Sequence, residues 1–232
     1  MTQRPAADAR FIPASDRSLL VSFADDISVG HNRRVGGLLY LLEKEPIAGV
    51  CNLHPAYSSL LVVFDPLRLD HEELEIDLRK RLPTLDTLVP AAPRIIEIPV
   101  CYDREFGPDL EDVADDRSLT PQEVISIHSA HEYTAYFLGF APGFAYLGEL
   151  PAELEVPRLP VPRRMVPQGS VAIAGRQTAV YPSSTPGGWR ILGRTPLAMF
   201  TAERESMSLL KMGDHVRFVP ISREEFDKVE RT

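Results

Sequence analysis

Eight of the chain's 14 glycines fall between Gly139 and Gly193, interleaved with prolines at 142, 151, 157, 160, 162, 167, 182 and 186. That punctuation excludes long helices over this stretch, because proline removes a backbone donor and glycine loosens the chain. It is not the composition of a disordered linker, since large apolar residues such as Trp189, Ile191 and Leu192 sit inside it. What remains is a set of short strands joined by tight turns. "YTAYFLGF", "SVAIAG", "TAVYP", "WRILG", "LAMF" and "HVRFVP" read as such strands, the pattern of an all-β barrel or sandwich.

The first half reads differently. Leu19–Phe23 is a strand candidate, and Val35, Leu38, Leu39 and Leu42 recur at helical spacing and stop before Pro46. "AGVCNLH" and "SSLLVVF" are two further strands. Asp70 with Glu73 forms a capping box that opens a helix with Leu74, Leu78 and Leu82 on one face, ending before Pro83. "RIIEIPV" alternates as a strand. The order is β-α-β-β-α-β, a ferredoxin-like arrangement, although the last strand fits equally well as the start of the second half. A boundary is expected within "TLDTLVPAAP" near 84–93. The expected architecture is α+β, with a small domain over 1–90 and a β-barrel domain over 91–232. Thr120-Pro121-Gln122-Glu123 caps one more helix, running to about Ala130 with Val124, Ile127 and His128 inward.

The chain has 232 residues, 44% of them hydrophobic, enough to bury a real core. Nothing approaches about 18 consecutive apolar residues, and "MTQRPAADAR" lacks a secretory h-region. Cys51 and Cys101 are far apart, so neither a disulfide framework nor a zinc cluster is expected, and a cytoplasmic location is. The net charge of −8 argues against nucleic acid as a main partner. No membrane association is expected.

Several clusters carry chemistry. His128 and His131, beside Glu132, have a metal-ligand spacing but no third ligand, so helix-end capping or core packing competes with metal binding. Ser170 in "GSVAIAGRQT" lacks the GxSxG context of a nucleophile and reads better as a ligand hydroxyl. Gly169 and Gly175 bracket it too widely for a phosphate loop. "PRLPVPRRMVPQGS" places Arg158, Arg163 and Arg164 among prolines, either as a solvated connector or as an anion grip of low ordering cost. "STPGGWRILGRTP" places Arg190 and Arg194 around Pro186, Gly187, Gly188 and Trp189, either as a hairpin packed by its tryptophan or as a second arginine-bearing wall. Gln177, Thr178 and Tyr181 would add neutral donors. "FLGFAPGFAYLG", with Gly139, Pro142 and Gly143, reads as a strand turning into the core or as an apolar ligand wall. A substrate or phosphate site is therefore expected at Arg163, Ser170, Gln177, Tyr181, Arg190 and Arg194. No catalytic residue and no metal ligand is assigned.

"YFLGFAPGFAYLGEL", "PRRMVPQGSVAIAGRQTAVYP" and "STPGGWRILGRTPLAMF", in this order, resemble the 5-oxoprolinase B-subunit family. That family also includes the Kip inhibitor of a sporulation histidine kinase, and has been labelled allophanate hydrolase subunit 1 and carboxyltransferase domain, subdomain C. With "EIPVCYDREFGPDLEDVA" and "LTPQEVISIHSAHEYTAYF" the resemblance spans nearly the whole chain. It implies a small α/β domain followed by a cyclophilin-like barrel. It implies ATP-dependent opening of 5-oxo-L-proline to L-glutamate together with two partner chains, the A and C subunits, with ATP and Mg²⁺ shared among them. The B and C subunits would phosphorylate the lactam and the A subunit would hydrolyse the ring; the isolated chain would be inactive. A kinase-binding inhibitor is the alternative. Ala172 and Ala179 stand where the family often has glycine, and Met165 where a polar residue is common.

Overall fold

A computed structural model describes residues 9–88 and 92–230. The chain divides into two compact units, 1–92 and 93–232. The break falls beside residues 89–91, the part of the expected 84–93 boundary that lies outside the described residues.

Unit 1 contains β1 (Arg10–Ser15), β2 (Ser18–Ser22), α1 (Val29–Lys44), β3 (Val50–Pro55), β4 (Ser59–Phe64) and α2 (His71–Leu85). Its sheet order is β1-β2-β4-β3, antiparallel throughout. β2, α1 and β3 form a split β-α-β unit with β4 inserted between its strands. The ferredoxin-like expectation needs a strand after α2 to fill the edge beside β2. That edge is filled instead by β1, turned back through Asp16 and Arg17, and the "RIIEIPV" strand belongs to unit 2. α1 starts at Ser28, whose Oγ accepts from the His31 amide, and buries Asn32, Val35, Leu38 and Leu42. The Asp70–Glu73 capping box opens α2, which buries Leu74, Leu78, Leu82 and Leu85. Each such leucine contributes about 1.5–3 kcal/mol. α2 runs past Pro83 to Leu85 rather than stopping before it: burial of Leu82 and Leu85 on either side holds the last turn, where one missing hydrogen bond costs least.

Unit 2 contains β5 (Ile95–Val100), α3 (Leu110–Arg117), α4 (Pro121–Ala130), β6 (Glu132–Leu138), β7 (Ala145–Gly148), β8 (Arg163–Val166), β9 (Ser170–Ala174), β10 (Gln177–Val180), β11 (Thr185–Gly187), β12 (Arg190–Arg194), β13 (His215–Pro220) and α5 (Arg223–Glu230). Seven strands form one sheet in the order β12-β9-β10-β7-β6-β13-β5. Between its outer strands, Cys101, just past β5, and Arg194, the last residue of β12, exchange two backbone hydrogen bonds of 2.9 Å. The sheet is thus nearly closed into a barrel. Ile98, Tyr133, Leu147, Val171, Ile173, Val180, Leu192, Val216 and Phe218 fill its interior, together with Val113 of α3 and Val124 of α4. β8 and β11 pair as a separate two-stranded ribbon. The expected "LAMF" strand is only an isolated bridge between Phe200 and Ser208.

Candidate functional site

β9, β10 and β12 turn alternate residues to opposite faces. Val171, Ile173, Val180 and Leu192 point into the barrel. Ala172, Ala174, Ala179, Tyr181 and Ile191 point outward and carry a second cluster with Phe144, Val166 and Trp189. Ala172 and Ala179 are cross-strand partners and fully buried. They form a flat floor for the aromatic rings above. Phe144 meets Tyr181 at 5.4 Å and Trp189 at 5.8 Å, both edge to face, a favoured geometry for ring pairs. Gly187 is explained here: a Cβ would collide with the Tyr181 hydroxyl. Trp189 is 4% exposed and packs as expected, but "PGGW" is not a hairpin: β11 pairs with β8 and β12 with β9, so the segment crosses from the ribbon to the barrel sheet. Gly188 and Pro186 complete the same ribbon, and Leu159 donates its amide to the Gly188 carbonyl at 2.7 Å.

The expected arginines separate into two groups. Arg163, on β8, donates Nη2 to Asp109 Oδ1 at 2.6 Å. The other oxygen of Asp109 accepts the Ile191 amide at 2.7 Å, and Asp109 is 3% exposed. Arg190, on β12, reaches Asp116 at 3.4 Å and Asp112 at 4.0 Å. Asp109, Asp112 and Asp116 lie on one side of α3 at its N-cap, third and seventh helical positions, so a single acidic helix holds both arginine-bearing segments. Their positive charges are already matched within the chain. Even so, Arg163 Nη1 and Arg190 Nε are enclosed with no hydrogen-bond partner. Each such donor costs about 1–3 kcal/mol.

Arg194 departs from this group. Its Nε donates to the Gln168 carbonyl at 2.9 Å and its guanidinium lies over Phe106 at 5.6 Å. Gln177 begins β10, paired with Ala174, whereas Tyr181 follows the other end of the strand and bonds to Ser170. The two side chains are roughly 13 Å apart along the strand at about 3.3 Å per residue. Thr178, also expected beside them, turns inward. Ser170 is 2% exposed within β9. Arg158 is exposed and stacks 5.8 Å over Trp189; Arg164 is exposed, with no ion pair or hydrogen bond among the described residues. The structure therefore gathers Arg158, Arg163, Tyr181 and Trp189 in one neighbourhood, with Arg190 on the same acidic helix as Arg163. It does not bring Gln177 or Thr178 into that group, while Ser170 lies between Tyr181 and Arg194 across the sheet. The Tyr181 phenol is pushed up by burial, opposed by the Trp189 amide and the nearby Arg158 and Arg163 charges.

His128 is a core residue. Thr178 Oγ1 donates to the Ala172 carbonyl at 3.2 Å, so it accepts from His128 Nε2 at 3.0 Å. His128 Nδ1 then accepts the Tyr102 hydroxyl proton at 2.8 Å. Burial, with a smaller effect of His131, pushes this imidazole down to about 3, so it stays neutral in this relay. His131 lies outside the helix as its C-cap. Among the described residues no three His, Cys, Asp or Glu side chains are grouped closely enough to hold a metal. Asp109 and the Tyr102–His128–Thr178 relay were not anticipated from the sequence. The repeated carboxylates of "DLEDVADD" carried a signal for the first, at helical spacing ahead of two arginine-rich segments.

The "GFAPG" turn between β6 and β7 holds an unusual residue. Phe140 has φ of 68°, a left-handed conformation costing roughly 1–2 kcal/mol for a side chain of this kind. It is 62% exposed, and among the described residues its ring meets Phe144 edge to face at 5.3 Å. Gly143, at φ of 83°, closes the turn where a Cβ would lie 2.7 Å from Phe200.

Residues 9–210 match the family described as carboxyltransferase domain, subdomain C and D. The chain is 41% identical over 221 residues to the 5-oxoprolinase B subunit of Bacillus subtilis (strain 168), covering 91% of this chain and 92% of that one. It is 39% identical over 216 residues to the 5-oxoprolinase B subunit of Escherichia coli O157:H7, covering 91% and 96%. Among solved structures it resembles TTHA0988, with a TM-score of 0.78 and 38% identity over 90% of this chain, but only 40% of the longer TTHA0988 chain is matched. The urea amidolyase of K. lactis, at 18% identity, has a TM-score of 0.73 over 96% of this chain and 15% of its own, which shows a shared fold. Mixed α and β structure with a nearly closed barrel-like sheet is common to that region and this chain.

Proposed function

The chain belongs to the carboxyltransferase domain, subdomain C and D family, and from that premise we propose that it is the B subunit of an ATP-dependent 5-oxoprolinase, working with the A and C subunits to open 5-oxo-L-proline to L-glutamate. The observation that carries this reading is 41% and 39% identity, over nine-tenths or more of both chains, to relatives bearing that name. No observation favours the kinase-inhibitor alternative.

The chemistry asks for a carboxylate-bearing lactam to be held while its amide oxygen is phosphorylated. Bound ATP would supply the phosphoryl group, making the ring carbon open to water. The described residues offer single arginines rather than a nucleotide cradle, and no metal-binding cluster. They do not by themselves fit an ATP–Mg²⁺ site, and no step is assigned to this chain through it. Its contribution is a wall: the free cation of Arg158, Arg163 tied to Asp109 beside it, and the aromatic floor around Tyr181 and Trp189. Ser170 adjoins that wall through its backbone bond to Tyr181, and Arg190, Arg194 and Gln177 stand further out. The test is reconstitution with the A and C subunits, measuring L-glutamate released from 5-oxo-L-proline and ATP. Release by the mixture and none by this chain alone is expected; a silent mixture would sink the reading.

The finer architecture belongs to the same proposal. The split β-α-β-β core of unit 1 supports a ferredoxin-like ancestry with its edge strand exchanged, and the near-closed sheet of unit 2 supports a cyclophilin-like barrel. Two separable domains, 1–90 and 91–232, should be cut apart by limited proteolysis within 84–93 before the barrel is cleaved.

A further inference from the structure

Arg158 is a cation without a counter-ion. Among the described residues it makes no ion pair and no hydrogen bond, and its guanidinium lies 5.8 Å over the ring of Trp189. Its neighbours differ: Arg163 is tied to Asp109, and Arg190 to Asp112 and Asp116. The backbone under Arg158 is pinned on both sides. The Val156 carbonyl accepts from the Gly175 amide at 2.7 Å, and Leu159 donates to the Gly188 carbonyl at 2.7 Å, one residue before Trp189. An arginine stacked on an aromatic face keeps its rim of N–H donors open to a planar ligand, and a pinned loop has less order to gain on binding.

A second donor shares the same tryptophan. The Tyr181 oxygen accepts the Trp189 amide, and Arg158 is near enough for its charge to act on the phenol. Burial pushes that phenol up, so it keeps its proton at neutral pH. The side chain is 2% exposed, yet among the described residues the hydroxyl proton has no acceptor. A buried donor left over in this way costs stability until a ligand takes it.

We propose that Arg158, with the Tyr181 hydroxyl beside it, is the subsite that holds the carboxylate of 5-oxo-L-proline and selects it over uncharged lactams. This rests on the B-subunit reading and adds to it the end of the substrate that this chain grips. The charge count favours a carboxylate. One unmatched guanidinium and one neutral donor suit a monoanion held by paired N–H bonds. The phosphates of ATP carry several charges and need several cations or a nest of backbone amides, and the neighbouring Arg163 and Arg190 already hold carboxylates. Arg164 follows Arg163 on β8 and faces the other way.

Trp189 is the chain's only tryptophan, so its fluorescence reports on this spot. The experiment titrates the full chain, alone and mixed with the A and C subunits, with 5-oxo-L-proline, 5-oxo-L-prolinamide and inorganic phosphate at constant ionic strength. A saturable change is expected with 5-oxo-L-proline, with the amide and phosphate each about tenfold or more weaker. Arg158→Met, which keeps an apolar cover on Trp189, should lose that preference at an unchanged melting temperature. Arg164→Met, which removes the same charge on the same stretch, should keep it. Tyr181→Phe should weaken 5-oxo-L-proline severalfold. In the reconstituted enzyme Arg158→Met should raise KM for 5-oxo-L-proline about tenfold and leave KM for ATP alone; a purely structural cover over Trp189 would not separate the two. The proposal is overturned by equal responses to acid and amide, by no saturable response in either setting, or by Arg158→Met binding as wild type. Tighter binding of phosphate, or a raised KM for ATP, would overturn it in favour of a phosphate site. Carboxylate-selective binding in a mixture that opens no 5-oxo-L-proline would leave this inference standing and overturn the B-subunit reading instead.

Discussion

The two faces of the β9–β10–β12 wall are built from the same strands by opposite rules. The inner face is apolar and well filled, and its polar relay is closed: Tyr102 donates to His128, His128 to Thr178, and Thr178 to the Ala172 carbonyl. The outer face is floored by alanines, roofed by aromatics, and edged by arginines that keep enclosed donors without partners. Where every buried group is satisfied, the residues specify the fold. Where several are not, stability has been given up locally, and that is where binding residues concentrate.

The strongest way to break this comparison is Arg163→Ala. If the outer face were a free anion grip, truncation would abolish activity and leave the melting temperature unchanged. Because Asp109 would be left buried without its cation, we expect a loss of about 3–5 kcal/mol in chemical denaturation. The double variant Asp109→Asn with Arg163→Met should recover much of that stability without recovering activity in the reconstituted enzyme. Recovery of both would make the pair a structural tie only. On the inner face, Thr178→Val leaves the His128 Nε2 proton without an acceptor, for an expected loss of about 1–3 kcal/mol; an unchanged denaturation midpoint would refute the relay.

A pH series sharpens the contrast. The folded His128 imidazole is pushed below its ordinary 6.5 to about 3, so between these values the unfolded chain binds more protons. Stability is then fully present above about 6.5 and is lost as pH falls toward 3. His128→Gln, which can keep both hydrogen bonds without titrating, should flatten the decline; identical slopes in the two proteins would count against it. The smallest effect belongs to Arg164→Ala. This exposed side chain should change stability by no more than about 0.5 kcal/mol, and a larger shift in melting would mean that the outer ribbon is more tightly coupled than its contacts show.

Much of this was legible in the sequence, for identifiable reasons. Capping boxes at Asp70 and Thr120 set helix starts through local hydrogen bonds, and α4 ends at Ala130 where its pattern runs out. The glycine and proline spacing of the second half forced short strands. What failed was nonlocal. The edge strand of unit 1, Arg10–Ser15, is a hairpin arm whose residues are exposed apart from a half-buried Phe11, and its position is decided by pairing with β2 rather than by burial of its own residues. The alternation that sends Thr178 inward and Tyr181 outward is readable once β10 is placed, but the strand length that separates Gln177 from Tyr181 is not visible until then. Arg163 and Arg194 look alike in sequence; α3 and Phe106, far away along the chain, decide that one is neutralised and the other is stacked.

The closure of the barrel also fixes a schedule. β5 pairs in parallel with β13, Ile95 opposite His215 and Val100 opposite Pro220, so the first strand of unit 2 waits for its neighbour while about 120 further residues are made. At roughly 5–20 residues per second that delay is about 6–24 s during synthesis. The sheet of unit 1, in contrast, has all four of its strands by Phe64. Unit 1 is therefore placed to fold while the ribosome is still working. The "RIIEIPV" strand, with Ile96, Ile98 and Val100 on one face, waits through that interval for β13, its parallel partner.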